Sequence, residues 1–494
     1  MTAADLNVIS PFLAAVATAI AILVVDLVLP NRPMPVVAAA LVGLAVTAAV
    51  TLSVGSGSAA TAFGAAGHGA YRLDALTTFL DLLFISIVAL TIVFAPDYLA
   101  PRKLPVAEFA TILVFAMCGA MIIAASADLL LLFIGLELMV LPGYLLAGYH
   151  KSDSFSTEGA IKYFLLGSFS SAIFLFGLAF IWGLSGSTNI ADVASTLVKV
   201  ATGSAPFSPG LAMGLAFLTT GVAFKIAAVP FHYWTPDAYQ GSPTPVTGYL
   251  SVGPKIGAFA LILRLFVEAL GPMKADWLPV VVVLAATTMT LGNLVALTQD
   301  NVKRMLAYSS IAHTGYMLVG LAAYAGGQSK GLEALLFYGA AYSFMNLGAF
   351  AVIAALQKRA GVTSNLNTFA GLIRREPALT ILMFLFLLSL TGIPPTAGFF
   401  AKLLLIESAV QAGGWVGVLA VLLVLNAAVA AFYYLRVAVY MFMRDPVSEA
   451  GSLPHGRLLW TGLGAATLLT IGLGLFPGLI LPMIEGARQA LVGG

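Results

Sequence analysis

Charged residues are scarce in this sequence. They make up 9% of its 494 residues, against roughly 25% in an ordinary soluble domain. Hydrophobic residues make up 60%, more than a soluble fold of this size can bury. The formal net charge is only +2, which argues against a nucleic-acid-binding protein that works through a basic surface. The composition therefore predicts a membrane protein.

Cysteine is almost absent as well, since Cys118 is the only one. One thiol cannot form an internal disulfide, hold an iron–sulfur cluster or build a structural zinc site, because each of these needs further cysteines. Any redox chemistry linked to this protein is therefore expected to reside in partner chains.

In place of charge, the sequence has apolar runs of about 20 residues, the length that crosses a bilayer core of roughly 30 Å. The first run is longer than the apolar core of a signal peptide and lacks a basic start and a cleavage site, so a retained helix is expected. The longest predicted loop, residues 185–210, is rich in small residues. Proline, glycine and charge clusters divide the chain into spans 1 to 14, near residues 7–29, 35–55, 74–98, 105–126, 128–149, 158–184, 211–234, 245–270, 278–298, 302–325, 332–357, 378–412, 415–443 and 457–482.

Lysines and arginines are distributed unevenly between the predicted loops. Twelve lie in the loops that follow spans 1, 3, 5, 9, 11 and 13, and five lie on the opposite side. Because cytoplasmic loops are enriched in Lys and Arg, the side with twelve is predicted to be cytoplasmic. An even number of spans then places both termini outside the cytoplasm.

Three lysines lie deep within the predicted spans. Lys225, Lys255 and Lys402 are far from the nearest loop on at least one side. A lysine at the membrane midplane costs about 2.5–3.5 kcal/mol on insertion scales, so three such positions favour a function. The alternative is a structural lysine that caps carbonyl groups of a broken helix. Arg264 and Arg436 lie near span ends, where long side chains are expected to reach the interface and anchor the helix.

Other titratable residues lie at a similar predicted depth. Glu137 is in the middle of span 5, His313 is in the middle of span 10 five residues after Tyr308, and His232 follows a proline in span 7. A lone histidine in a span more often makes an interhelical hydrogen bond than carries a proton, but several titratable groups at one depth favour a proton path. A carboxylate near a buried lysine changes its proton affinity, so movement of Glu137 relative to Lys225 would act as a proton switch.

Lys162 follows Glu158 by one helical turn near the start of span 6. This spacing suits an ion pair at the membrane surface as well as it suits a functional residue. The two interpretations remain open from the sequence.

Two spans carry the signs of discontinuous helices. Span 7 contains two prolines with polar residues between them, and span 12 exceeds 30 residues and contains Pro394 and Pro395. Unwound backbone in a bilayer is tolerated only where it is buried or lines a wet cavity. Such breaks in corresponding halves of a transporter indicate an ion path. Lys225 and Lys402 flank the two predicted breaks.

Spans 4 to 8 and spans 9 to 13 cover the same length, 166 residues each (270 − 105 + 1 and 443 − 278 + 1). Five spans per repeat is an odd number, so two such repeats must be inverted relative to one another. The spacing between the titratable residues within each repeat is similar too. The position of the lysine differs, however, because Lys225 precedes its proline whereas Lys402 follows its proline pair. The sequence thus predicts an all-α polytopic membrane protein of about 14 transmembrane helices in four parts: residues 1–104, three helices; 105–270, the first repeat; 278–443, the second, inverted repeat; and 457–494, the last helix.

Four stretches, within residues 151–186, 224–259, 292–320 and 390–405, resemble the antiporter-like membrane subunits of respiratory complex I. Within that family, HYWTPDAYQGSPTPV followed by GYLSVGPK is similar to the N-type subunits of bacterial proton-pumping NADH:quinone oxidoreductase. Lys402 in LTGIPPTAGFFAKLLL resembles the N and L types, since the M type carries Glu at this position.

The resemblance implies a fourteen-helix fold that translocates protons, driven by NADH-to-quinone electron transfer in partner subunits. It implies no cofactor in this chain, with FMN and iron–sulfur clusters in the partners. The expected neighbours are the antiporter-like M subunit, the small K- and J-type membrane subunits and the lipid bilayer. The expected location is the bacterial inner membrane, with both termini in the periplasm.

The resemblance also implies roles for individual residues. Glu137 would be the modulating carboxylate, Lys225 the central proton carrier, Lys255 the connecting lysine and Lys402 the carrier toward the outer half-channel. His232, Tyr308 and His313 would belong to the central polar axis. Lys162 and Glu108 match family positions less decisively.

Two other functions remain compatible with the sequence. A subunit of a multi-subunit cation/proton antiporter would need no electron donor, and sodium flux without NADH would identify it. A purely structural membrane anchor is disfavoured by the buried lysines.

Overall fold

The structure, a computed structural model, describes residues 2–30, 32–57, 59–64, 68–358, 363–446 and 454–492. A short antiparallel hairpin pairs β1 (Ala60–Ala62) with β2 (Tyr71–Leu73). The α-helices of these residues are α1 (Ala3–Val8), α2 (Ser10–Val28), α3 (Pro33–Gly55), α4 (Ala75–Leu99), α5 (Val106–Ala125), α6 (Leu129–Ala147), α7 (Ser154–Ser185), α8 (Ile190–Ala201), α9 (Pro209–Lys225), α10 (Trp234–Gly241), α11 (Thr244–Ile262), α12 (Lys274–Ala296), α13 (Val302–Ala325), α14 (Lys330–Leu356), α15 (Leu372–Arg375), α16 (Pro377–Thr391), α17 (Ala397–Ala412), α18 (Gly414–Met443), α19 (Arg457–Leu475) and α20 (Leu481–Val492).

The predicted all-α fold with fourteen spans is confirmed across the described residues. Eleven spans are helices that are long and apolar enough to cross a membrane, and a twelfth is the more polar α13. The other two are broken, as predicted: span 7 consists of α9 and α10, and span 12 consists of α16 and α17. The division into four parts remains a prediction.

Side-chain caps and prolines set several helix boundaries. Asp74, Asp128 and Asp153 accept hydrogen bonds from the first backbone N–H groups of α4, α6 and α7. Pro209 and Pro377 occupy the first positions of α9 and α16, where a proline loses no intrahelical hydrogen bond. Since a capped helix starts at a fixed residue, these positions fix where each span enters the membrane.

The two breaks occur at the predicted prolines. Between α9 and α10, Ala227 adopts a left-handed conformation (φ 57°) and the Val229–Pro230 peptide is cis. Between α16 and α17, Gly392 is left-handed (φ 92°) and the Pro394–Pro395 peptide is cis. Both helices therefore stop inside the bundle and restart in a new direction.

The middle of the bundle is formed by α11 and α14. All residues of α11 are buried, and so are nearly all residues of α14. By contrast, α2, α3, α7 and α18 expose large apolar side chains. A polar residue on α11 therefore lies in the protein interior rather than against lipid. A π-helical segment, Leu263–Ala269, continues α11.

Residues 185–210 are not simply a loop, so that prediction was wrong. They include α8, whose buried residues Ile190, Val193 and Leu197 follow the i, i+3, i+7 spacing of an apolar helical stripe. This stripe packs against the π-helical segment Leu263–Ala269. The helix has 12 residues, too few to cross a bilayer. A search for apolar runs of spanning length therefore does not detect it.

Candidate functional site

Lys225 is the last residue of α9 and is 7% exposed. Its Nζ donates to Ser171 Oγ at 2.7 Å and to the Gly167 carbonyl at 3.4 Å, both on α7. Lys225 is therefore held by two neutral oxygens of the neighbouring helix.

Glu137, on α6, is the acidic residue whose charge acts on Lys225. It is partly buried, and its Oε1 has no hydrogen-bond partner among the described residues. The two side chains do not form an ion pair within 4.0 Å. Buried carboxylate oxygens normally have partners, so Glu137 is an acidic residue near Lys225 whose Oε1 is held by no hydrogen bond among the described residues.

Lys255 lies in the fully buried α11 and is 1% exposed. Its Nζ donates to three oxygens of α13: the Ser310 carbonyl and Ser310 Oγ, each at 2.6 Å, and Thr314 Oγ1 at 3.1 Å. Thr314 Oγ1 in turn donates to the Ile226 carbonyl at 2.9 Å. Because Ile226 directly follows Lys225, Thr314 connects Lys255 to the break of span 7.

His313 is 1% exposed and is hydrogen-bonded through both ring nitrogens. Nδ1 is 2.6 Å from Tyr338 Oη, and Nε2 is 3.2 Å from Tyr434 Oη. The ring lies 4.9 Å from that of Tyr342, whose hydroxyl donates to Ser310 Oγ at 2.8 Å. Ser310 also binds Lys255, so the histidine and this lysine share one polar cluster.

Lys402, on α17, is 5% exposed. Its Nζ donates to the carbonyls of Leu390 at 2.7 Å and Thr391 at 2.6 Å, the last two residues of α16. The ammonium group also lies 5.4 Å from the ring centroid of Tyr316, whose ring is 5.4 Å from that of His313. The carbonyl capping that the sequence offered as an alternative is therefore present at Lys402.

The two broken spans place their lysines differently. Lys225 ends α9, and Lys402 reaches back from α17 to the end of α16. The ammonium group of Lys402 thus lies at the negative end of the α16 dipole, whereas that of Lys225 binds oxygens of α7. Each lysine therefore belongs to a broken span, but the two ammonium groups have different partners.

We name the connected residues Lys225, Lys255, His313 and Lys402 the lysine axis. His232 lies in the break of span 7, 5% exposed, stacked 4.6 Å from Tyr233. Its Nδ1 has no hydrogen-bond partner among the described residues. The structure brings His232 near the axis but not into its hydrogen-bonded contacts.

The remaining sequence candidates lie outside the lysine axis. Lys162 Nζ pairs with Glu158 at 2.6 Å and Asp237 at 2.7 Å, with its side chain 42% exposed. Tyr308 is partly buried against the apolar core and forms none of the contacts of the axis. Glu108 is exposed in the first turn of α5. The ion pair of Lys162 with Glu158, one of the two interpretations that the sequence left open, is present.

Sequence reasoning missed the hydroxyl groups that join the axis. Tyr308 was the only tyrosine among the sequence candidates, whereas three others hydrogen-bond within this cluster: Tyr338, Tyr342 and Tyr434. Ser310 and Thr314 flank His313 at one-turn spacing or less in α13. Small polar residues within a span could have predicted this cluster, because buried polar groups are nearly always hydrogen-bonded.

Arg264 is not an exposed anchor at the end of its helix, so that expectation was wrong. It is 0% exposed, and its guanidinium binds Asp74 at 2.9 Å and Glu268 at 2.7 Å. Arg72 completes the group, with Nη2 2.5 Å from Glu268 and Nε 3.0 Å from Asp74. We name Arg72, Asp74, Arg264 and Glu268 the buried ion cluster.

The other basic residues show mixed outcomes. Arg436 remains partly exposed and donates to carbonyls at the end of α12, the anchoring role that was predicted. Lys303 was counted as a loop residue but is 4% exposed, and its Nζ donates to the Ser242 carbonyl at 2.6 Å. It lines a cavity of about 580 Å³ together with Arg102 and Asp153. Arg359, one of the twelve predicted cytoplasmic cations, lies outside the described residues.

Metal ligands are not grouped in the described part of the chain. No set of three or more His, Cys, Asp or Glu side chains there is arranged to hold a metal ion.

Comparison with known proteins identifies close relatives. Residues 126–426 match the family described as NADH:quinone oxidoreductase/Mrp antiporter, TM. NADH-quinone oxidoreductase subunit N 1 of Koribacter versatilis is 42% identical over 485 residues, covering 96% of this chain and 94% of that protein. NADH-quinone oxidoreductase subunit N of Trichlorobacter lovleyi is 40% identical over 494 residues, covering 99% and 97%.

Solved structures agree with the sequence relatives. A chain of respiratory complex I from Thermus thermophilus with bound aureothin is 32% identical, with a TM-score of 0.76 over 96% of this chain and 98% of that chain. A chain of the Mrp complex from Dietzia sp. has a TM-score of 0.80 over 100% and 98%, but at 24% identity it shows the shared fold alone. The chain therefore belongs to the family of NADH-quinone oxidoreductase subunit N, antiporter-like membrane subunits of respiratory complex I.

Proposed function

We propose that this chain translocates protons across the membrane along the lysine axis, driven by electron transfer from NADH to quinone in partner subunits. The observation that carries the proposal is the series of contacts inside the bundle that connects Lys225, Lys255, His313 and Lys402. Charged lysines in the interior of a membrane protein are costly, and they mark ion and proton pathways.

The first step is electrostatic. Glu137 acts on Lys225 without an ion pair, so a shift of Glu137 changes the proton affinity of Lys225. Moving one charge across 100 mV requires about 2.3 kcal/mol, and a change of one pKa unit is worth about 1.4 kcal/mol. A change of a few units therefore matches the work that translocation requires.

The second step is transfer from Lys225 to Lys255 across the break of span 7. Lys255 donates to the hydroxyl of Thr314, and this hydroxyl donates to the carbonyl of Ile226, the residue after Lys225. Hydroxyl groups both donate and accept, so Thr314 is suited to pass a hydrogen bond from one lysine environment to the next. His232, in the same break, has a free ring nitrogen that can take part in this transfer.

The third step leads from Lys255 to Lys402. Ser310 and Tyr342 connect Lys255 to the ring of His313, and Tyr316 lies between His313 and Lys402. Lys402 then releases the proton toward the outer side. Each lysine lies beside groups that tolerate both a charged and a neutral amine, which is the requirement for a carrier.

We further propose the assembly that this function requires. The two five-helix parts, residues 105–270 and 278–443, are inverted repeats with one broken span each. The partners are other membrane subunits, the antiporter-like M and the small K- and J-type chains, and FMN and iron–sulfur clusters lie in further partner subunits. The chain lies in the bacterial inner membrane with both termini periplasmic. The names of the relatives, NADH-quinone oxidoreductase subunit N, support this assembly.

Lys225→Ala in the intact complex tests the function. Inside-out membrane vesicles are supplied with NADH, and NADH oxidation and the proton gradient are recorded together. The gradient should be abolished or sharply reduced while the complex still assembles, because the amine at the end of α9 is gone. Lys274→Ala is the matched control, since Lys274 is exposed at the start of α12.

The pattern of loss separates the alternatives. If oxidation falls together with the gradient, pumping is tightly coupled to electron transfer. If oxidation persists with a smaller gradient, Lys225 lies on one of several parallel paths. A wild-type gradient with Lys225→Ala refutes the assignment, and NADH-independent sodium flux that depends on Lys225 would identify a cation/proton antiporter instead.

A further inference from the structure

Asp81, on α4, is a buried carboxyl that the lysine axis does not use. It is 0% exposed, and neither of its oxygens has a hydrogen-bond partner among the described residues. No Lys, Arg or His nitrogen of that part of the chain lies within 4.0 Å of it. Buried polar groups are rarely left without partners, so Asp81 calls for a chemical explanation.

The surrounding charges indicate its protonation state. The groups that act on Asp81 or feel its charge are Asp74 of its own helix, Arg264, Tyr71 of β2 and Cys118 of α5. The neighbouring buried ion cluster contains two arginines and two carboxylates, so it is neutral without Asp81. An ionised Asp81 would add an uncompensated buried charge at a cost of several kcal/mol. The carboxyl is therefore neutral and carries a proton.

A cavity adjoins the buried ion cluster whose charges act on this carboxyl. This cavity of about 300 Å³ is lined by Arg72 and Glu268 of the buried ion cluster, with neighbours from the hairpin, α8 and the chain after α11. Inward from the cavity, Arg264 Nη2 donates to Thr77 Oγ1 at 3.0 Å. Thr77 precedes Asp81 by four residues in α4, so the two side chains lie on one helical face.

Tyr71 adds a second unpartnered polar atom near Asp81. Its hydroxyl is buried and has no hydrogen-bond partner in the described chain, and both burial and any charge on Asp81 raise the pKa of this hydroxyl. Water is the partner that fits two such groups, because buried waters bridge polar atoms that the protein leaves unpaired. Hydroxyl, carboxyl and water together provide a path for a proton.

We propose that Asp81 is a proton-exchanging carboxyl, separate from the lysine axis, which exchanges its proton with water that enters from the cavity beside Arg72 and Glu268. On release, the O–H bond of the carboxyl breaks and the proton passes to water as hydronium. The carboxylate that remains interacts with Arg264, and the reverse step reloads it. The cavity lies on the side that the distribution of basic loops predicts to be periplasmic.

Infrared difference spectroscopy on the intact complex tests this site. Aspartate labelled with ¹³C at the side-chain carboxyl identifies aspartate bands, and wild type is compared with Asp81→Asn. The wild-type complex should show a carbonyl band of a protonated aspartate that Asp81→Asn lacks. The band should shift after transfer into D₂O, because the proton exchanges. Asp276→Asn, at an exposed carboxyl of α12, should leave the band unchanged.

Two further variants separate a change in the Asp81 band from a loss of folding and from a failure of the proposed function. Glu268→Gln leaves two guanidinium groups facing one carboxylate, so Asp81 should ionise and the band should weaken. Lys225→Ala should leave both band and exchange intact even if it stops pumping. Absence of the band in wild type would show that Asp81 is ionised, and a band that does not shift in D₂O would show a sealed structural acid. Either result overturns the proposal.

Discussion

Arg264→Met should destabilise the part of the bundle around the buried ion cluster by several kcal/mol. The guanidinium makes two contacts with Asp74 at 2.9 Å, one with Glu268 at 2.7 Å, one with Thr77 at 3.0 Å and one with the Ala124 carbonyl at 2.8 Å. Methionine fills much of the volume but leaves two carboxylates facing Arg72 alone. Breaking a buried ion pair by removing one partner costs about 3–5 kcal/mol.

Cys118 provides the assay for this destabilisation. It is the only cysteine of the chain, it is 1% exposed in α5, and Arg264 binds the Ala124 carbonyl near the end of the same helix. A thiol-reactive reagent modifies Cys118 only when this region opens, and peptide mass spectrometry measures the rate within the intact complex. At about 1.4 kcal/mol per factor of ten, the predicted loss corresponds to labelling roughly 10² to 10⁴ times faster.

Controls define what would refute this reasoning. Arg436→Met removes contacts of a partly exposed arginine with carbonyls, so it should change labelling by no more than about tenfold. Adding Asp74→Asn and Glu268→Gln to Arg264→Met should recover part of the loss, because the uncompensated charges are removed. Labelling of Arg264→Met within a factor of ten of wild type would show that the buried ion cluster does not stabilise this region.

Two further variants probe the lysine axis directly. Gly392→Ala should reduce the NADH-driven proton gradient severalfold and lower thermal stability, because its left-handed φ of 92° is unfavourable for alanine by about 1–2 kcal/mol and the new Cβ would lie 2.9 Å from Lys402 Cδ. Gly413 is also left-handed but has no neighbour within 4 Å, so Gly413→Ala should lower stability without reducing the gradient. Equal gradients in the two variants would contradict the role of Lys402. Thr314→Val should reduce the gradient severalfold with assembly intact, because it removes both the contact with Lys255 and the hydrogen bond to the Ile226 carbonyl. Thr314→Ser keeps the hydroxyl and should retain pumping. A wild-type gradient in Thr314→Val would exclude transfer through this hydroxyl.

The sequence predicted those features that depend on local pattern. Prolines located both breaks, and the depth of Lys225, Lys255 and Lys402 followed from hydropathy alone. Partners distant in sequence were not predictable. Arg264 binds Asp74, which lies 190 positions earlier in the sequence. The hydropathy of a span does not reveal which of its faces packs against which neighbouring helix. The position of Lys402 at the end of α16 likewise depends on how the chain turns after Gly392.

The contacts of the three lysines differ in number, and this difference has a consequence for proton loss. An ammonium group has three N–H donors, whereas a neutral amine has two and a lone pair. Lys225 and Lys402 each have two oxygen acceptors, so both can lose a proton and keep every contact. Lys255 has three and must give one up. If the lone pair of the neutral amine then accepts a hydrogen bond from Thr314, that hydroxyl turns away from the Ile226 carbonyl. The protonation state of Lys255 would thereby change the hydrogen bonding of the backbone at the break beside Lys225.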